Sequence, residues 1–248
     1  MYIIILYTSL NNMLSQNRPK IISIEGNIGA GKTTIVENMQ KRLASDRIIF
    51  LREPVDIWEK IKEKTTGENI LVKFYKNPEK YSFAFQIMAF ITRVSMLREA
   101  IENNPNCEVI ICERSLDADR NIFAKMLRDD GKIDDVQFQI YEKVYDEYVC
   151  ANKYELDGIV FIDASPSVCK RRISKREREG EDGISIEYLT KCSEYHKKWL
   201  VEGDDLGRGS ILHINTDEDV TYDEMDHCDL GNKWMMDIYD FVQAVCKK

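Results

Sequence analysis

An α/β architecture, a five-stranded parallel sheet flanked by helices, is the fold class that the sequence predicts. Three observations lead there. Five short apolar, β-branched runs recur along the chain, longer segments of helical period lie between them, and no linker-like run of Pro, Gly or Ser divides the 248 residues. Nearly continuous apolar runs are what strands buried on both faces require. With 44% hydrophobic and 31% charged residues and only 12 Gly and 5 Pro, the chain has material for a real core and no low-complexity tract.

The elements follow in order. Residues 1–19 read as an N-terminal extension; its apolar stretch Ile3–Leu6 is too short and lacks the basic flank for a signal sequence or a membrane span, and Met13 offers a second start. Residues 20–248 read as one domain. Its first strand is Ile21–Ile24, and the helix Thr33–Leu43 follows with Ile35, Val36, Met39 and Leu43 on one stripe. Next come the strand Ile48–Leu51, the long helix Tyr81–Ile101 and the strand Val109–Cys112. The helix Asp134–Val149, the strand Ile159–Ile162, the helix Ile186–Leu200 and the strand Ile211–Ile214 complete the alternation. Between the fourth strand and its following helix lies Lys170–Asp182, KRRISKREREGED, dense in both signs of charge; Val201–Ser210 reads as a loop, and the acidic Asp217–Gly231 resists assignment.

Charge and cysteine usage narrow the function. Lys and Arg number 35 against 43 Asp and Glu, a net charge of −8, so unspecific attraction to a nucleic-acid backbone or an anionic membrane is disfavoured. Phosphate binding must then be local. The seven Cys are scattered without a C-x-x-C pair, which points to neither a zinc site nor a disulfide scaffold and suits a reducing compartment, with the cytoplasm as the default address.

The local phosphate site is legible. Gly26-Asn27-Ile28-Gly29-Ala30-Gly31-Lys32-Thr33, continued by Thr34, is G-x-x-x-x-G-K-T placed between an expected strand and an expected helix. Backbone N–H groups wrap a phosphate there, the helix N-terminus adds a favourable dipole, and Lys32 brings a mobile positive charge to the β/γ oxygens of a nucleoside triphosphate. The Thr33 hydroxyl is suited to Mg²⁺. Such a loop names the donor and leaves the acceptor open. No guanine-reading N-K-x-D follows a late strand, which sets GTPases aside; a DNA-coupled ATPase would show a basic surface and a longer chain.

The acceptor side is read from the carboxyl ends of strands, where ligands bind in open α/β sheets. The second strand ends in Arg52-Glu53-Pro54 and the third in Glu113-Arg114-Ser115. Glu113 stands where many such proteins carry a metal-binding acid, Arg114 can stabilise the transferring phosphoryl or orient the acceptor, and Glu53 remains free to take a proton as general base.

With these residues in view, the chain resembles the deoxyribonucleoside kinases of the deoxycytidine and deoxyguanosine kinase type. The resemblance rests on IEGNIGAGKTT, the REPVDIW segment with Glu53 and Trp58, FAFQ ending at Gln86, ERSLDADRNIFAKML from Glu113 and IDASPSVCKRRISKRERE from Ile162, and covers roughly Lys20 to Leu200. It implies a P-loop kinase fold with a basic lid over about 170–183, a homodimer, and transfer of the γ-phosphoryl of ATP or another NTP to the 5′-hydroxyl of a deoxynucleoside. By the same resemblance Glu53 is the general base, Arg114 steadies it and the 5′-oxygen, Thr33 and Glu113 serve Mg²⁺, and Tyr75 with Glu181 hold the sugar 3′-hydroxyl. Arg172, Arg176 and Arg178 become lid arginines; the first two are four apart and share a helical face, as a clamp on one anion needs. The stretch Thr216–Val220 resembles the loop that holds the donor base, whereas Thr221–Gly231 has no counterpart.

Base choice is read from Gln86 and Arg93, two helical turns apart and so pointing the same way. Gln86 offers a donor and an acceptor to a Watson–Crick edge, and Arg93, costly on the inner face of an aromatic-rich helix, needs a partner such as Asp119. In the family this pair implies deoxycytidine or deoxypurine nucleosides rather than thymidine. Phe74, Phe85, Phe90 and Phe123 are the candidate aromatic walls of the base pocket. Two alternatives stand beside this reading: a nucleoside monophosphate kinase of the thymidylate kinase kind, which needs a basic grip near the second strand where Glu53 would repel an anionic acceptor, and a nucleotide-binding scaffold without chemistry.

Overall fold

The five apolar runs pair into one parallel sheet in the order β2-β3-β1-β4-β5. The computed structural model describes residues 18–43, 45–149, 153–176, 178, 180–181, 183–203, 209–223, 225–226 and 228–247. The expectations of an N-terminal extension and of a start at Met13 therefore lie outside the described residues, apart from Arg18 and Pro19. The strands are β1 (Lys20–Gly26), β2 (Ile48–Leu51), β3 (Val109–Glu113), β4 (Gly158–Asp163) and β5 (Ser210–Asn215), each within two residues of the boundaries read from the sequence. Parallel pairing sets Ile24 beside Glu113 and Gly26 beside Ile162, so the ends of β1, β3 and β4 stand level.

The helices are α1 (Lys32–Arg42), α2 (Val55–Trp58), α3 (Ile70–Lys76), α4 (Pro78–Asn103), α5 (Leu116–Ala118), α6 (Lys125–Asp129), α7 (Asp135–Val149), α8 (Pro166–Arg176), α9 (Ile186–Leu200) and α10 (Leu230–Cys246). A π-helical turn, Asp119–Ala124, joins α5 to α6. Side chains alternate across β1. Ile22 and Ile24 face a core closed by α1 and α10, while Ile21 faces a second core built with Phe90, Leu97 and Tyr141 of α4 and α7. Each fully buried Ile contributes roughly 1.5–3 kcal/mol, so β1, with both faces covered, anchors the sheet under the phosphate loop.

The charged run resolves into two parts. Residues up to Arg176 continue α8, whose Cys169 and Ile173 are buried while Arg172 and Arg176 lie on its cleft side, and beyond it the described residues Gly180 and Glu181 lie in turns. One expectation is corrected here. Phe90 is fully buried against Tyr141 and Tyr145 in the core beneath α4 and does not reach the ligand cleft, because it lies on the face of α4 that meets α7.

Candidate active site

The carboxyl ends of the strands open into a cleft of about 750 Å³, a size typical of small-molecule sites. Its floor is the glycine-rich loop. Residues Ile28 to Thr34 line the cleft, and Gly29 is required there, since a Cβ would stand 2.6 Å from the Cys169 carbonyl oxygen of α8. Gly26 and Asn27 lie beneath the floor. Asn27 is buried, donates from Nδ2 to the Leu189 carbonyl at 2.8 Å and accepts the Ile28 N–H on Oδ1, which ties the loop to α9. The Lys32 ammonium donates to the Asn27 carbonyl at 2.9 Å. Burial, with Arg114 close by, lowers Lys32 to about 8, so it is charged yet weakly held in the free protein.

Thr33 Oγ1 donates to Glu113 Oε1 at 2.7 Å. The pair fits Mg²⁺, which takes one or two protein oxygens and completes its octahedron with water and phosphate oxygens; among the described residues no cluster of three or more His, Cys, Asp or Glu forms a fuller cage.

Glu53, just beyond β2, meets two guanidinium groups. Its Oε1 accepts from Arg93 Nη2 at 2.7 Å and from Arg114 Nε at 3.1 Å. Burial alone would raise the Glu53 carboxyl, but Arg114 and Arg93, with Lys32 behind them, overturn that and bring it to about 2. Arg114 itself has φ of 66°, a left-handed conformation that aims its Nη1 at the Gly26 carbonyl 3.0 Å away, beneath the loop.

Arg93 was expected to pair with Asp119, and it does, Nε to Oδ2 at 2.9 Å. The same side chain also holds Glu53 and donates from Nη1 to the Glu113 carbonyl at 3.1 Å, a threefold engagement that the sequence did not signal. Burial raises the Asp119 carboxyl to about 6; the Arg93 guanidinium offsets this only in part, and the nearby Glu53 charge adds to the rise. The π-helical turn widens the helix just where Asp119 and Phe123 face the cleft. Phe123 packs under Arg114, with the guanidinium carbon 4.7 Å from the ring centroid.

Gln86 lines the cleft one side of Arg93, and its Oε1 is buried without a hydrogen-bond donor among the described residues. A buried acceptor left open at a cleft wall is suited to a ligand's N–H. Phe85 stacks on Phe74 at 4.8 Å and meets Trp58 edge-on at 5.3 Å, forming the apolar wall. Tyr75, whose ring packs on Phe74 at 4.9 Å, and Glu181 also line the cleft; burial, with Glu181 near, keeps the Tyr75 phenol protonated as a donor.

The lid arginines all border the cleft, but Arg172 and Arg176 do not converge on one partner. Arg172 donates to the Ala30 carbonyl at 3.3 Å and to Asp219 Oδ1 at 3.0 Å, while Arg176 and Arg178 both bind Glu181, at 2.6 and 3.2 Å. Two further supports escaped the sequence reading. Ser115 caps α5 and donates to Glu25 Oε1 at 2.6 Å, behind Arg114; an acid inside a buried strand, as Glu25 is, was the available signal. Tyr222 and Trp234 line the cleft from a segment in which no helix was expected.

Comparison with known proteins decides the family. The deoxynucleoside kinase family model matches residues 22–239. The chain belongs to the deoxynucleoside kinase family. This kinase is similar to a probable deoxycytidine kinase of fowlpox virus, 34% identical over 91% of this chain and 89% of the relative. It is likewise 34% identical to human deoxycytidine kinase over 82% of this chain and 85% of the relative, and 28% identical to the mitochondrial deoxyguanosine kinase of Xenopus laevis over 92% and 94%. Membership makes the kinase a phosphotransferase with an alcohol acceptor, and the P-loop fold with its parallel five-stranded sheet agrees. Among the described residues no helix is long and apolar enough to cross a membrane.

Proposed function

We propose that this kinase transfers the γ-phosphoryl group of ATP, or another NTP, to the 5′-hydroxyl of deoxycytidine, deoxyadenosine or deoxyguanosine in preference to thymidine, supplying 5′-monophosphates for nucleotide salvage. The observation that carries this reading is the Arg93 guanidinium, shared between Asp119 and Glu53 on the same cleft wall as Gln86. Gln86 and the Arg93–Asp119 pair face the acceptor base, Phe74, Phe85 and Phe123 enclose its ring, and Tyr75 with Glu181 meet the sugar 3′-hydroxyl. That grip directs the 5′-hydroxyl to Glu53.

Glu53 accepts the 5′-hydroxyl proton as the 5′-oxygen bonds to the γ-phosphorus and the β–γ bridging bond breaks, releasing the nucleoside diphosphate. A carboxylate near 2 is a weak base, so its proton uptake comes late, once bond formation has made the hydroxyl strongly acidic; this suits a loose transition state that asks little covalent help. Lys32, Arg114 and the lid residues Arg172, Arg176 and Arg178 hold the charge that develops on the phosphates. Thr33 and Glu113 would hold Mg²⁺, which would supply neutralisation of phosphate charge.

Relatives named as deoxycytidine and deoxyguanosine kinases support the choice of acceptors. The monophosphate kinase alternative needs a basic grip on an anionic acceptor near β2; Arg52, which follows β2 and borders the cleft, is already paired with Glu37 at 3.1 Å, and Glu53 beside it would repel that acceptor. We place the kinase in the cytoplasm as a homodimer of one domain spanning 20–248. The six described cysteines are all unpaired, and α7 exposes Val136 and Ile140 one turn apart beside α4, an apolar face suited to a second copy.

Transfer from labelled ATP with Mg²⁺ to the four deoxynucleosides and, in parallel, their four monophosphates tests the proposal. Product from deoxycytidine or a deoxypurine nucleoside is expected; product only from monophosphates would assign the cleft to the alternative. The Lys32 ammonium makes a second prediction. Because kcat/KM reports the free enzyme, its value for ATP is expected to fall above about pH 8 as Lys32 loses its proton, while kcat stays level because bound phosphates keep Lys32 charged. Profiles of both constants check this, and a kcat/KM that stays flat through that range would count against the role of the charge.

A further inference from the structure

Arg114 reaches its partners from a backbone that its residue type does not favour. Its φ is 66°, and among the described residues Arg114 and Tyr222 are the two non-glycine residues with a left-handed backbone. A Cβ in that conformation crowds the following carbonyl, so the chain relaxes to an ordinary turn unless neighbouring contacts forbid it. Relaxation would swing the side chain away. It would take Nε off Glu53 and Nη1 off the Gly26 carbonyl, the two contacts that place the guanidinium.

Two consecutive residues of β1 hold this turn from both sides. Before it, the Arg114 N–H donates to the Ile24 carbonyl at 3.1 Å, just where β1 and β3 stop pairing. After it, the Ser115 hydroxyl accepts the Ala118 N–H at 3.0 Å, as the cap of α5, and gives its one proton to Glu25 Oε1 at 2.6 Å. Strand and cap are thereby joined through a single oxygen, with Arg114 between them.

Glu25 is costly where it stands. It is 0% exposed, on the face of β1 that also carries Ile21 and Ser23, and acids are almost never fully buried unless paired. Its Oε2 has no hydrogen-bond partner among the described residues, nor has Ser23 Oγ. An apolar side chain would avoid that cost, so the bond to Ser115 is what the carboxyl contributes. Burial pushes the Glu25 carboxyl up, and Ser115 and Arg114 offset this only in part, which moves it toward the neutral form that an amide copies closely.

The geometry points to Glu25 as a positioning residue for phosphoryl transfer: through Ser115 it holds Arg114 in its left-handed turn and so keeps the guanidinium against Glu53. This rests on the part that Arg114 and Glu53 take in the proposed function. Glu25 itself does not border the cleft, so its effect falls on the rate of conversion rather than on occupancy.

The test compares Glu25→Leu, which keeps the bulk and loses the acceptor, with Glu25→Gln, which keeps both, with Ser115→Ala, and with the double variant of Glu25→Leu and Ser115→Ala, each checked by thermal melting. The first readout is solvent exchange of the buried arginine Nε–H protons, followed by nuclear magnetic resonance on protein carrying isotope-labelled arginine, with Arg114→Lys to assign the signal. Glu25→Leu and Ser115→Ala are each expected to speed exchange at Arg114 Nε at least about tenfold, while Arg93 Nε, bonded to Asp119, keeps its wild-type rate. The second readout is steady-state kinetics. In both single variants kcat is expected to fall about 10–100-fold with either KM within about threefold, Glu25→Gln to restore kcat to within about threefold of the wild type, and the double variant to lose no more than the worse single. Wild-type exchange at Arg114 Nε in folded Glu25→Leu, or losses that multiply in the double variant, would overturn the assignment; should Glu25→Leu fail to fold, wild-type exchange in Ser115→Ala overturns it equally. Faster exchange with wild-type turnover would instead remove Arg114 from the transfer and leave the brace standing.

Discussion

Glu53→Gln is expected to reduce kcat by about 10²–10⁴-fold while the KM for the deoxynucleoside stays within about threefold, the pattern of a group that acts in the transition state. Glutamine preserves the shape of the side chain and an oxygen for Arg93 and Arg114, but it takes up no proton. Its Arg partners keep other ties, Arg93 to Asp119 and Arg114 to the Gly26 carbonyl, so the wall of the cleft is retained. Because Glu53 stays ionised down to about pH 2 in the free protein, the wild type is also expected to show no acid limb in kcat/KM attributable to this residue at neutral or mildly acidic pH. Steady-state kinetics on the variant, with melting curves alongside, are the measurement. Turnover close to that of the wild type would remove Glu53 from the proton transfer.

The second large effect is expected at the Arg93–Asp119 pair, proposed above to read the base. The double substitution Arg93→Met with Asp119→Ala should raise thymidine relative to deoxycytidine by at least about tenfold in kcat/KM, since the wall loses its polar pattern and gains room for a methyl group. The single substitution Asp119→Ala is a different experiment. Both partners are buried, Arg93 at 6% exposure and Asp119 at 2%, and removal of one leaves charge that the remaining contacts compensate only in part, a loss of about 3–5 kcal/mol in urea unfolding. The double variant should lose less than the two singles added together. An unchanged order of acceptors in a folded double variant would reduce the pair to a structural ion bridge.

Much of this was written in the sequence, and the parts that were not share a physical cause. The strands were legible because burial on both faces demands unbroken β-branched runs, and the phosphate loop because its glycines, Lys32 and Thr33 are contiguous. Gln86 and Arg93 were legible through helical periodicity. The link from Arg93 to Glu53 was not, since it depends on the end of β2 lying beside α4, a long-range fact with no local signature. The helix α10 was missed although Trp234, Met235, Ile238, Val242 and Val245 carry its buried stripe, because the acidic segment before it has no period of its own. Phe90 was misplaced for the opposite reason: within an aromatic-rich helix, composition does not say which ring faces the cleft and which faces the core. The strain at Arg114 and Tyr222 had no sequence sign, as neither residue type favours a left-handed backbone.

The threefold engagement of Arg93 has a consequence for fidelity. In a site where the groups that inspect a substrate are separate from those that transform it, a poor substrate is bound weakly but converted normally once bound. In the function proposed above, the guanidinium that inspects the base is also the one that holds the carboxylate proposed to take the proton. On that proposal a nucleoside that fits its base badly would disturb Arg93, and through it Glu53, so discrimination would enter the rate of conversion as well as occupancy. Inspection and conversion would then be one event.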